Sequence, residues 1–214
     1  MTTVLMVRHG ESAANKDNLF AGCRTDAALQ ERGLRQAELT AEYVAEHYQI
    51  DRVYASGLQR AYITGKCVAD RLGLEVTVLD DLREIDGGLW EGVNFDDMAS
   101  QFPGEFALWF QDYGNSGCPE GETVKQCGQR FMGAVTRIAE ENPDKTVLVA
   151  THASPVRIMQ GLVQTGGFDG IKDVPWPSNA SVTVFTYEHK KWQSVAFSMD
   201  DHLGELRTVL PKNV

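Results

Sequence analysis

Val4-Leu5-Met6-Val7-Arg8-His9-Gly10-Glu11 decides the reading of this chain. Its first half is an unbroken apolar run, the pattern of a strand buried on both faces. Its second half turns abruptly to a cation, an imidazole and a glycine. Arg52-Val53-Tyr54-Ala55-Ser56, Thr146-Val147-Leu148-Val149-Ala150 and Ser181-Val182-Thr183-Val184-Phe185 read as strands too. Trp192 to Phe197 pairs with the last of these across a turn at Glu188 to Lys191. Between the strands lie stripes at helical spacing. Leu34, Ala37, Ala41, Val44 and Tyr48 form one, and Leu58, Ala61, Gly65, Val68 and Leu72 a second. Val124, Cys127, Phe131, Ala134 and Ile138 form a third. Ser154 as N-cap with Pro155 at the first helical position predicts one more helix. Strands alternating with helices predict an α/β fold: a mostly parallel central sheet flanked by helices on both faces.

The segment from Ile85 to Val124 has a different character. It is rich in aromatic residues, among them Trp90, Phe95, Trp109 and Tyr113, and contains no lysine or arginine. It reads as a cap inserted between sheet elements.

Composition narrows the function classes. The 214 residues carry a formal net charge of -10 and no basic run, which argues against nucleic-acid and anionic-membrane partners. No apolar stretch is long enough to cross a bilayer, and no secretory signal opens the chain, so the cytoplasm is the expected compartment. Cys23, Cys67, Cys118 and Cys127 are spaced too irregularly for a zinc site or disulfide framework and read as reduced packing thiols. The acidic pairs Asp80-Asp81, Asp96-Asp97 and Asp200-Asp201 show no convergent set of histidines or cysteines and read as loops and caps, with His202 structural or exposed in the last acidic stretch. No metal and no cofactor is expected.

In open α/β sheets, ligands bind beyond the carboxyl ends of the strands. Arg8 and His9 follow the first apolar strand, Arg60 follows the second after a short turn, and Thr151 and His152 follow the third. Parallel strands would bring these cations and imidazoles to one sheet edge. So much positive charge is costly unless an anion sits among it. A phosphoryl group fits, because the planar fork of arginine matches phosphate oxygens. Gly10 would let the backbone approach closely.

These residues resemble the motifs of the histidine phosphatase superfamily, the phosphoglycerate-mutase-like fold. Arg8-His9-Gly10 resembles its R-H-G. Phe20-Ala21-Gly22-Cys23-Arg24-Thr25-Asp26, followed by Leu29, Gly33 and Ala37, resembles its F-x-G-W-x-D…L…G…A pattern. Ser56-Gly57-Leu58-Gln59-Arg60-Ala61…Thr64 resembles S-x-L-x-R-A-x-x-T, and Leu82-Arg83-Glu84…Gly88…Trp90-Glu91-Gly92 the acid-bearing segment. Thr151-His152…Arg157 resembles the second-histidine motif, and Pro119-Glu120-Gly121-Glu122-Thr123 a segment common in the phosphatase branch. The sequence departs from the pattern at Cys23, where tryptophan is common, and at Ala153, where glycine is usual.

The resemblance implies one histidine-phosphatase-like domain over residues 1–214. It implies a metal-independent phosphomonoester hydrolase acting on a small phosphorylated metabolite. His9 would be the nucleophile and carry a phosphohistidine, and Glu84 the proton donor, with Glu11, Asp86 and Glu91 as competing acids nearby. Arg8, Asn15, Gly22, Arg60 and His152 would hold the phosphoryl group. Two rivals stand beside it: a cofactor-dependent phosphoglycerate mutase and a non-catalytic phosphate-binding regulatory module. The acid-rich, cation-free cap disfavours the mutase, which must hold a second anionic group, unless Lys16, Arg24, Arg83 or Arg157 reaches the pocket. The presence of nucleophile, acid and clamp candidates together disfavours the module. Substrate identity and oligomeric state are not legible.

Overall fold

The structure is a computed structural model that describes residues 1–208. Six strands form one sheet in the order β3-β2-β4-β1-β5-β6. They are β1 (Thr2–Arg8), β2 (Arg52–Ala55), β3 (Val76–Val78), β4 (Thr146–Thr151), β5 (Val182–Glu188) and β6 (Lys191–Met199). The β1–β4, β4–β2 and β2–β3 pairings are parallel, whereas β5 and β6 add on antiparallel. The β5–β6 hairpin turns at His189 and Lys190, both at positive φ (50° and 61°), as a tight turn between right-twisted strands requires.

The apolar run of β1 is buried on both faces because helices cover both. Val4 and Met6 face α6 (Val124–Glu141) and α7 (Ala153–Thr165). Leu5 and Val7 face α2 (Glu31–His47) and α3 (Gln59–Leu72). The period-2 alternation of a strand assigns successive residues to the two layers. The third strand, β3, escaped the sequence reading: three residues at an edge, partly exposed, carry too little periodicity.

The cap segment holds two short helices, α4 (Phe95–Gln101) and α5 (Pro103–Gln111). Its buried Trp90, Met98, Trp109 and Tyr113 pack against Cys127 of α6 and Ile158 of α7. Cap and sheet layers therefore share helices. Thr123 and Gln126 form a capping box that starts α6 where the apolar stripe begins.

One helix start differs from expectation. The N-cap of α7 is His152, not Ser154, and Pro155 lies in the first turn, where its missing N–H is not needed. The first two amides of that helix point instead at a carboxylate described below.

Candidate active site

A narrow cavity of about 100 Å³ opens beyond the carboxyl ends of β1, β4 and β2. Arg8, His9, Asn15, Arg60 and Glu84 line it. His152 is fully buried and is not itself among the lining side chains, with its ring centroid 5.2 Å from that of His9. The β1–β4 register pairs Arg8 with Thr151, so the two histidines follow neighbouring strand ends at the same level.

Each polar group is held in one state. His9 Nδ1 lies 2.7 Å from the Gly10 carbonyl. A carbonyl only accepts, so Nδ1 carries the proton and Nε2 keeps a free lone pair. Burial, then the charges of Arg60 and Arg8, hold the His9 imidazole well below its usual pKa. His152 Nε2 lies 2.9 Å from Ser56 Oγ, which accepts from the Leu58 N–H at 3.3 Å. With the serine hydroxyl donating to Nε2, His152 Nδ1 is a buried donor with no protein partner. Burial and the same arginines also hold His152 well below the usual imidazole pKa.

Arg8 donates from Nη1 to the Pro177 carbonyl at 2.6 Å, while its buried Nε has no partner. Burial, in spite of nearby Glu84, brings its guanidinium down to about 10. Arg60 is anchored on the carbonyls of Thr25, Ala21 and Gly22 at 2.7, 3.2 and 3.0 Å. Two buried arginines and the imidazoles thus have Glu84 as the acid in the cavity lining, with Asp26 and Glu91 acting on Arg60 from outside it. A buried cation cluster with orphaned donors is an anion site by its chemistry.

Glu84 is 6% exposed. Its Oε1 accepts from the Ile85 N–H at 2.9 Å, and its Oε2 accepts from the N–H groups of Ala153 and Ser154 at 3.1 and 3.4 Å. Burial nevertheless raises its pKa above the usual carboxylate range. Of the competing acids, Glu11 pairs with Arg32, and Asp86 with Arg24. Glu91 accepts from the Gly22, Arg24 and Gly87 amides. None of the three lines the cavity.

Asn15 lies at the end of α1 (Ala13–Lys16), in a capping box with Ser12. Its Oδ1 takes the Ser12 N–H and the Nδ2–H of Asn179, at 3.1 and 3.2 Å, which turns its own amide nitrogen toward the cavity side. Asn179 also donates to the His9 carbonyl at 3.1 Å. Sequence reasoning missed Asn179, since one Asn in a loop after Pro177-Ser178 looks like ordinary turn chemistry. Ser154 and Trp176, also cavity-lining, were missed for the same lack of local pattern.

Several expected positions serve the frame instead. Gly22 does not line the cavity: its N–H goes to Glu91 and its carbonyl accepts from Arg60. A Cβ there would lie 2.5 Å from the Ile85 carbonyl, so the glycine admits close packing against the acid-bearing segment. Gly10 approaches Gly33 of α2, whose carbonyl would be 2.3 Å from an added Cβ, rather than a ligand. Thr64 accepts from the Gly10 N–H at 3.1 Å. Ala153 sits at ordinary negative φ inside α7, so alanine costs nothing there. Arg157 does not reach the cavity. It donates to the Val174 and Lys172 carbonyls, and its guanidinium lies 4.3 and 4.2 Å from the Tyr113 and Trp176 ring centroids.

Among the described residues, Cys23, Asp86 and Glu91 place ligand-type atoms within 4.8 Å of one another, a grouping the sequence spacing did not reveal. Both carboxylates are already engaged as above, and burial raises the Cys23 thiol pKa. Cys118 and Cys127 are buried as packing residues, and Cys23 and Cys67 are half-buried.

Residues 4–200 match the profile of the histidine phosphatase superfamily, branch 1. The chain is 30% identical over 206 residues to phosphoserine phosphatase 1 of Hydrogenobacter thermophilus, covering 96% of each. It is 31% identical to a phosphoglycerate mutase of Schizosaccharomyces pombe, covering 73% of this chain and 76% of the mutase. Bacillus stearothermophilus YhfR superposes with a TM-score of 0.88 at 25% identity, covering 95% of this chain and all (100%) of that one.

Proposed function

This chain belongs to the histidine phosphatase superfamily, and from that premise we propose that it hydrolyses small phosphomonoesters through a phosphohistidine on His9, without a metal. The observation that carries the reading is the fixed tautomer of His9: Nδ1–H is tied to the Gly10 carbonyl, so Nε2 offers its lone pair into the cavity. An unprotonated imidazole there can attack phosphorus in line.

The first step forms the His9 Nε2–P bond and breaks the P–O bond to the leaving alcohol. Glu84, kept protonated above the usual carboxylate range by burial, gives its proton to the departing oxygen. Water then attacks phosphorus, Glu84 takes a proton from it, and the N–P bond breaks to release inorganic phosphate. Arg8 Nε and His152 Nδ1, the orphaned donors, stabilise charge on the phosphoryl oxygens together with Arg60 and the Asn15 amide. Lys16, Arg24, Arg83 and Arg157 all stay out of the cavity lining, which supports hydrolysis over a mutase cycle that must retain a bisphosphate. The shared packing of cap and helices supports one domain, and the free thiols support a cytoplasmic setting.

Alkaline quenching of the enzyme during turnover of a labelled phosphomonoester, in excess EDTA, is the test. The expected result is an acid-labile, base-stable label mapping to His9. A label on another residue, or no activity without added divalent metal, sinks the mechanism.

A further inference from the structure

Above the phosphate-binding floor, the cavity wall has a composition of its own. It is made of Leu19, Phe20, Phe95, Trp109 and Trp176. Among the described residues, the ionisable side chains lining the cavity are Arg8, His9 and Arg60 at the floor, and Glu84. Three cations outside the lining are committed elsewhere, whereas Lys16, beside the lining Asn15, is exposed. Arg24 is paired with Asp86 and bonded to the Glu120 carbonyl, and Arg83 with Asp80. Arg157 is spent on two carbonyls behind Trp176. Its guanidinium, close to the rings of both Tyr113 and Trp176, props the indole from the rear.

A leaving group bearing a carboxylate would have to desolvate it against this wall with no donor of opposite charge. The acids of the cap would repel it further. An uncharged leaving group with a flat apolar ring would lose nothing on entry and would gain contact with the partly exposed Phe95 and Trp176. Resting on the phosphatase reading above, we infer that the preferred substrate is a phosphomonoester of an uncharged alcohol carrying an aromatic ring. Leu19, Phe95 and Trp176 are its specificity residues, and Arg157 positions Trp176. The chain thereby differs from its relative named for phosphoserine, an ester whose leaving group is charged.

The experiment is steady-state phosphate release from benzyl phosphate, methyl phosphate, O-phosphoserine and 3-phosphoglycerate by the full chain. Phe95→Ala, Trp176→Ala, Trp176→Phe and His9→Ala are run beside it. Benzyl phosphate is expected to exceed both charged esters in kcat/KM by at least about tenfold. Phe95→Ala and Trp176→Ala should lower that value about tenfold, chiefly through KM, and leave methyl phosphate unchanged, with Trp176→Phe restoring most of the loss. Equal or faster turnover of O-phosphoserine or 3-phosphoglycerate overturns the proposal. So does a loss on methyl phosphate as large as that on benzyl phosphate, which would mark the aromatics as mere scaffold. If no ester is cleaved faster than by His9→Ala, the phosphatase reading itself fails and takes this one with it.

Discussion

The floor and the wall of the cavity are built by opposite means. The floor is polar and buried, and its side chains are held by hydrogen bonds, Arg8 and Arg60 on loop carbonyls and Glu84 on the start of α7. The wall is aromatic and partly open, and it is assembled from the loop after α1, the two cap helices and the loop before β5. Chemistry that needs atoms held within fractions of an ångström sits on rigid elements, while the surface that selects a substrate sits on segments free to vary. Breaking the floor should abolish turnover for every substrate, and altering the wall should only re-rank substrates.

The largest test of that division is at the floor's orphaned donors. Arg8→Met and His152→Asn should each reduce kcat by about 100- to 1,000-fold on all phosphomonoesters alike. Arg8→Met should still fold, because it removes a buried cation whose Nε has no partner. Thermal denaturation should show a melting temperature no lower than that of the parent, together with loss of the stabilisation by added orthophosphate. A substrate-dependent loss would blur floor into wall.

Glu84 stands where the two regions meet, and pH is its probe. Its pKa is raised, so the proton it must donate persists above the ordinary carboxylate range; that of His9 is lowered, so the free base persists below the ordinary imidazole range. The kcat/KM profile should therefore rise as His9 loses its proton, at a pH below the usual histidine value. It should fall as Glu84 ionises, at a pH above the usual carboxylate value. Glu84→Gln should remove the falling limb. It should cost about 100-fold on alkyl phosphates and far less on 4-nitrophenyl phosphate, whose leaving oxygen needs little protonation. Equal losses on the two would assign the acid elsewhere.

Smaller effects should come from the residues that hold the floor in place. Asn179→Ala removes the donor shared by the His9 carbonyl and Asn15 Oδ1. Turnover should drop by about tenfold with KM nearly unchanged, as loosened positioning implies; a fall confined to KM would make Asn179 part of the wall. Gly33→Ala would place a Cβ 2.0 Å from the Glu11 carbonyl. A stability loss of about 1–3 kcal/mol in urea denaturation is expected, without a change in substrate ranking.

The sequence by itself determined the layered fold and the floor. The run of β1 is apolar at every position because both sheet faces are covered, and the stripe of α6 stays in phase with its buried face, as do the middles of those in α2 and α3, while Leu34 at the start of the α2 stripe faces solvent. Arg8, His9, Arg60 and His152 were legible because each follows a strand end at a short offset, and local geometry carries such a residue to the same sheet edge; Glu84, beyond the edge strand that the pattern did not show, was legible only through the family resemblance. Tertiary structure alone decided the rest. Gly22 and Arg157 lie within recognisable motifs, yet their N–H and guanidinium groups turn to Glu91 and to the Val174 and Lys172 carbonyls. No spacing along the chain encodes which partner a donor meets across the fold. Asn179 meets Asn15 across 164 positions, and from the same loop before β5 Trp176 meets Trp109 of α5. Contacts between segments so far apart are fixed by how the layers pack, after the local patterns have been satisfied.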